Sequence, residues 1–291
     1  MGATLIKKRH SFKVRALAWS PDGHFIASSG AKTAQVWDAA SGRNVYFYRG
    51  HTSEVPALAW SPDGQRVASG SWDMTVQLWN AADGKPLFTY GGHDRPVLAV
   101  AWSPNGHYIA SCGWDSAVHV WHALSGEQLC SYAEHVPPIT QIIWSPDSTC
   151  IASTSDYEQR VQVWDVRIPA TLYTYAGHVS GHVRGISWSP DGQQIASCGW
   201  DSTIQRWEAA TGKQRVCWQC EAAAMLFGVA WSPDGQRLAV IVNRHSQPYG
   251  QVQVIEATTG RLLYTYSGHA GSVWALAWSP DGRSIASGGD D

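Results

Sequence analysis

Three observations predict an all-β ring of repeated antiparallel sheets for this chain of 291 residues. The phrase Trp60-Ser61-Pro62-Asp63-Gly64 recurs as Trp19 to Gly23, Trp102 to Gly106 (Asn105 for Asp), Trp144 to Ser148 (Ser148 for Gly), Trp188 to Gly192, Trp231 to Gly235 and Trp278 to Gly282. Its seven tryptophans are spaced by 41, 42, 42, 44, 43 and 47 residues, and a fixed period of that size means stacked copies of one supersecondary unit. Between copies, short apolar runs alternate with turn residues roughly every ten positions, the rhythm of strands joined by tight turns.

The second copy serves as the template. Val55 to Trp60 crowds small and bulky apolar residues together, as an inner strand covered on both faces requires. The phrase itself is a β-turn: Pro presets the backbone angle, Asp bonds locally to the backbone, and Gly supplies the left-handed conformation that closes the bend. Arg66 to Ser69 follows as a second strand, and Thr75 to Trp79 alternates polar with apolar as a third. Asn80 to Lys85, with Asp83-Gly84, turns the chain into a fourth strand, Pro86 to Tyr90. Four short strands form a meander. Seven meanders predict a seven-bladed β-propeller of four-stranded antiparallel blades, a single domain over residues 1–291.

Composition removes several function classes. The formal net charge is −2, charged residues make up 15% of the chain, and the longest basic run is Lys7-Lys8-Arg9, so nucleic acid is not an expected partner. No apolar window is long enough to span a bilayer, the N-terminus lacks the apolar region of a secretory signal, and Ile6 stands where a myristoylation start needs Ser or Thr. No membrane partner is expected. The six cysteines do not recur at one position of every repeat, as a disulfide framework built into the repeat would require, which favours a reducing, cytoplasmic setting. Cys217-Trp218-Gln219-Cys220 has zinc-like spacing without a second half, and residues three apart on a strand face opposite sides. His119 and His122 fail as a metal pair by the same parity. No metal and no cofactor are expected.

Gly50-His51, Ser69, Asp73 and Trp79, with Asn80 in place of a following Asp, resemble the signature of the Trp-Asp (WD) repeat family, and the likeness extends over essentially the whole chain. The resemblance implies a His-Ser-Asp-Trp cluster in each blade whose buried polar groups satisfy one another. On this alignment the cluster is complete in blade two (His51, Ser69, Asp73, Trp79), blade three (His93, Ser111, Asp115, Trp121) and blade five (His178, Ser197, Asp201, Trp207). Blade four offers His135, Ser153, Trp164 and, in a stretch one residue longer, Asp156. In blade one Ala31 stands at the Asp position beside His10 and Trp37. Blade six replaces the set with Ala222, Val240 and Ile255 and carries an insertion, Asn243 to Gly250, expected to be a loop. Reading Ser69 and His51 as a nucleophile and its base is set aside, since nothing marks one repeat as the active copy.

Trp72, Trp114 and Trp200 each directly precede a cluster Asp. The resemblance puts them on the top rim, near Lys13, Glu54, Arg95, Pro138, His182, Met225 and Ser272. There they serve as anchors for a partner or as covers for the adjacent turn. Only 13 residues follow Trp278 and 18 precede Trp19, so the seventh blade is expected to lack its third strand, with Thr4 to Arg9 supplying an outer one. An open blade edge recruits a strand from the same chain, from absent residues of a longer protein, or from a neighbour in a weak homodimer. The expected function is a non-catalytic scaffold for other proteins or peptides on the top rim. The alternatives are a sensor or docking module of a larger signalling protein, such as a kinase or nucleotide-dependent switch, and an enzyme working at the channel mouth.

Overall fold

Each recurring phrase forms the turn its residues require. In the computed structural model, which describes residues 13–221, 224–244 and 247–291, Asp63 Oδ1 accepts from Ser61 Oγ at 2.5 Å and from Gln65 N at 3.0 Å. Ser61 Oγ in turn accepts from Arg66 N at 2.9 Å, and Gly64 closes the bend at a φ of +70°, where a side chain would be strained. This turn joins Ala57–Trp60 to Arg66–Gly70, and Val76–Asn80 and Pro86–Tyr90 complete an antiparallel sheet in sequence order. The third strand starts one residue later than the alternation predicts. Thr75 is held back because its N and Oγ1 both donate to Asp73 Oδ1, at 3.1 and 2.6 Å.

The same order builds the sheets within 16–48, 97–132, 139–175, 183–219 and 224–266, so six blades have four strands. The seventh has two among the described residues, Val273–Trp278 and Ile285–Gly289. The strand expected of Thr4 to Arg9 lies outside the described residues, as do His10 and Ala222. The insertion in blade six is not the loop its polar residues suggest. It lengthens a hairpin, with strands Arg237–Arg244 and Gln247–Glu256 that pair as far as Arg244 with Gln247. Asn243 explains part of this, because its side chain bonds both backbone groups of Val273 in the next blade, at 2.9 and 3.1 Å.

Blades hold together face to face. Trp79, Trp121, Trp164 and Trp207, on the third strands, are fully buried, and each stacks on a tyrosine from the outer strand of the preceding blade: Tyr48, Tyr90, Tyr132 and Tyr175. The ring centroids lie 4.4 to 4.8 Å apart. The tryptophan of the phrase adds a polar tie. Trp60 Nε1 donates to Ala18 O, Trp144 to Ala101 O, Trp278 to Ala230 O and Trp19 to Ala277 O, all at 3.1 Å. Each acceptor is the residue just before the preceding copy's tryptophan. The last tie, with Val14 N donating to Gly289 O at 2.8 Å, seats blade one against blade seven.

Trp60 and Trp231 are almost equally buried, but Trp231 Nε1 has no hydrogen-bond partner among the described residues. Trp60→Phe should therefore cost about 1 kcal/mol more than Trp231→Phe, the net value of one hydrogen bond. Chemical denaturation of the two variants measures this difference, and equal losses would mean that the indole bond contributes nothing to blade adhesion.

Candidate functional site

The polar cluster joins a loop His and a turn carboxylate to a Ser on the second strand and a Trp on the third. His51 Nδ1 lies 2.8 Å from Asp73 Oδ2 and His51 Nε2 lies 2.8 Å from Ser69 Oγ, which also accepts from Trp79 Nε1 at 3.1 Å. The set His178, Asp201, Ser197 and Trp207 repeats these contacts at 2.8, 2.8 and 3.3 Å. In blade three His93 bonds Asp115 and, at 2.7 Å, Ser111, to which Trp121 donates at 3.3 Å. His269, Ser287 and Asp291 come together the same way in blade seven, at 2.8 Å each. Burial pulls the His51 imidazole below its ordinary value although Asp73 opposes the shift, so the ring is neutral and donates from Nδ1. Ser69, Ser111 and Ser197 have no exposed surface, which denies a substrate access to their oxygens.

Two clusters differ from the alignment. Blade four uses Glu158, not Asp156: the longer stretch carries Asp156 past the imidazole, and the extra methylene of Glu158 brings its carboxylate back to His135. Asp156 instead pairs with Arg184 at 3.0 Å, while its backbone carbonyl accepts from His182. In blade one Gly30 pairs with Thr33 across a two-residue turn with Ala31 at a φ of +48°. That turn is too short to contain an equivalent of Asp73.

The rim tryptophans divide. Trp72 N, Trp114 N and Trp200 N donate to the carbonyls of Glu54, Pro96 and His182, so the three share one place in their blades. Trp72 and Trp114 are 42% and 50% exposed, whereas Trp200 turns inward beneath His182 at a centroid distance of 4.4 Å. Lys13 pairs with Asp290 at 3.0 Å, Glu54 with Arg15 at 2.7 Å, and Arg95 is exposed.

Trp200 belongs to a larger assembly at the channel mouth, a cavity of about 660 Å³. Every blade contributes one lining residue from an equivalent position: Arg15, Pro56, Leu98, Thr140, Arg184, Phe227 and Trp274. All stand four residues before the phrase tryptophan, directly after a buried Val, Ile or Leu. In blades three to seven this residue is the extra one of a β-bulge, which turns its side chain toward the channel. Trp200, Phe227 and Trp274 form a continuous aromatic run with centroids 5.7 and 5.1 Å apart. Arg184 lies 5.1 Å over Trp200 and Arg15 lies 5.4 Å over Trp274. Carboxylates hold the cations in place, Asp156 at Arg184 and Glu54 at Arg15, while Trp274 Nε1 donates to Asp290 at 2.8 Å.

Family comparison agrees with this architecture. The family model of the WD domain, G-beta repeat, matches residues 3–38, 42–80, 84–122, 126–165, 170–208 and 260–291. The chain belongs to the WD-repeat family. The stretch between 208 and 260, which the family model does not match, includes most of blade six, where Val240 and Ile255 are buried. WD-repeat propellers are generally protein-interaction scaffolds. A comparison with curated proteins finds no match. The mouth residues Arg15, Arg184, Phe227 and Trp274 were not among the rim positions expected from sequence, which lie mostly two residues earlier. Their signal is the position itself, variable in a frame of repeated apolar neighbours. No helix among the described residues is long and apolar enough to cross a membrane.

Burial raises the Glu158 carboxyl, but hydrogen bonds from His135 and Arg160 outweigh it and hold the group at about 2, against 4.5 ordinarily. A carboxylate held below its unfolded value stabilises the fold above that value, and the contribution is lost as pH falls from about 4.5 toward 2. Glu158→Gln should flatten the acid limb of Tm against pH in that window without changing the slope near neutrality. Superimposable acid limbs would show that this pair does not report on folding.

Proposed function

We propose that this propeller is a non-catalytic scaffold that receives protein segments at the channel mouth and along the rim tryptophans. The observation that carries the reading is the run Trp200–Phe227–Trp274 with Arg184 and Arg15 stacked on its ends. Aromatic and arginine side chains grouped in a concave, partly desolvated centre are the usual anchors of a protein interface, and the mouth is large enough to take a side chain and its flanking backbone. Trp200 Nε1, Arg184 Nε and Thr140 Oγ1 are buried at its wall with no hydrogen-bond partner among the described residues. A segment that offers carbonyl or carboxylate acceptors beside an apolar side chain would complement them. Trp72 and Trp114 extend the same surface outward along the rim. The buried, repeated serines support the absence of catalysis.

The test is affinity capture with the intact protein, a Trp72→Ala/Trp114→Ala double variant and an Arg184→Glu variant, with Tm recorded for each. Loss of the captured partner by tenfold or more in both, with Tm changed by no more than a few degrees, is expected, because rim side chains contribute contact area and little to the inner strands. Capture that survives both changes would place the partner elsewhere on the ring.

A further inference from the structure

Blade three departs from its neighbours at one point that the scaffold reading leaves unexplained. In blades two and five the cluster Asp is followed by Thr and Gln, Thr75 and Gln77 or Thr203 and Gln205. The Thr hydroxyl donates to the Asp Oδ1, at 2.6 and 2.9 Å, and the Gln side chain accepts from the preceding blade's Tyr48 or Tyr175 at 2.6 Å. Blade three has Ala117 and His119 at these positions. Without the Thr hydroxyl, Asp115 Oδ1 is buried with no hydrogen-bond partner among the described residues, and so is His119 Nδ1. Without the Gln, the Tyr90 hydroxyl turns aside to Gln128 at 3.1 Å.

The substitution puts a second imidazole against the cluster. The His93 and His119 rings lie 4.5 Å apart edge to face, His119 Nε2 is 3.5 Å from Asp115 Oδ2, and ligand atoms of His93, Asp115 and His119 all fall within 4.8 Å of one another. We propose that these three residues form a binding site for a divalent transition-metal cation of the zinc type. Ligands about 2.1 Å from a tetrahedral zinc stand about 3.4 Å apart, so the His119–Asp115 edge already has the spacing, and His93 Nδ1 must exchange its proton for the metal. That exchange needs no change of charge on the ring. The proton then sits on His93 Nε2, which donates a hydrogen bond to Ser111 Oγ, already an acceptor for Trp121, and this bond holds the imidazole in orientation. The His119 side chain is 15% exposed, which leaves an entry path and a fourth position for water. Two imidazoles and a carboxylate suit zinc and do not suit magnesium or calcium, which prefer oxygen ligands.

The experiment uses the full chain with Cys217→Ser and Cys220→Ser, which removes these two thiols as competing ligands. Zinc titrated into this protein should raise Tm on the order of 5 °C near saturation, with magnesium inert, and cobalt(II) should give the visible absorption of a tetrahedral N/O site. The double variant Ala117→Thr/His119→Gln restores the blade-two chemistry. It should fold with an unchanged or higher metal-free Tm and bind zinc about a hundredfold or more weakly. Zinc that leaves Tm unmoved, or that acts equally on the parent and the double variant, would overturn the site and leave His119 as a packing residue.

Discussion

Adhesion between blades is the constraint on which everything else rests. A four-stranded sheet cannot bury both faces alone, so each blade depends on its neighbours for its core. The hydrophobic clusters accordingly straddle blade boundaries. One holds Ala57, Val76 and Leu78 of blade two with Val97, Ile109 and Trp121 of blade three. The aromatic stacks and indole-to-carbonyl ties repeat the arrangement around the ring. Because the phrase tryptophan reaches back to the preceding copy, a residue that looks like the end of a strand is also the start of an interface. Three indoles depart from the pattern: Trp188 bonds Gly192 O in its own turn, and Trp102 and Trp231 have no hydrogen-bond partner among the described residues.

Polar clusters meet a second constraint, set by burial. An imidazole, a carboxylate and a hydroxyl can be enclosed only as a closed set, since one member left alone keeps the desolvation cost without a partner. Blade six discards the members together and fills the space with Val240 and Ile255. Blade four keeps the set by changing the length of the acid to match a longer loop. These are alternative solutions to one requirement, and blade one takes a partial one, keeping the Trp37-to-Ser28 bond while its two-residue turn holds no carboxylate.

Much of the fold was legible because its signals are local and repeated. Seven in-phase turns specify the blade count, and the buried alternation locates the strands within a residue or two. What escaped depends on contacts between blades or on loop length. Nothing local tells Asp156 from Glu158 as the partner of His135; the outcome depends on where a longer loop deposits each carboxylate. The polar stretch after Asn243 reads as a loop, yet it pairs as a hairpin because Asn243 bonds the backbone of Val273 across the blade boundary. The rim tryptophans were visible as a triplet, but the inward turn of Trp200 depends on Phe227 and Trp274, which belong to other repeats.

Function in such a ring belongs to positions released from adhesion. The residue four before each phrase tryptophan is one of these; it lines the channel mouth in every blade, and in blades three to seven a β-bulge directs it there. Its seven occupants are two arginines, two aromatics, a leucine, a proline and a threonine, each preceded by a buried Val, Ile or Leu. The cations and aromatics are not scattered around the mouth. Arg184, Phe227, Trp274 and Arg15 occupy four consecutive blades, five, six, seven and one, across the closure of the ring, while Pro56, Leu98 and Thr140 give the other side a smaller and less polar wall. A mouth built this way is polarised, with one half suited to acceptors and planar groups and the other to apolar contact. A symmetric scaffold thus acquires a direction in which a partner segment can be read.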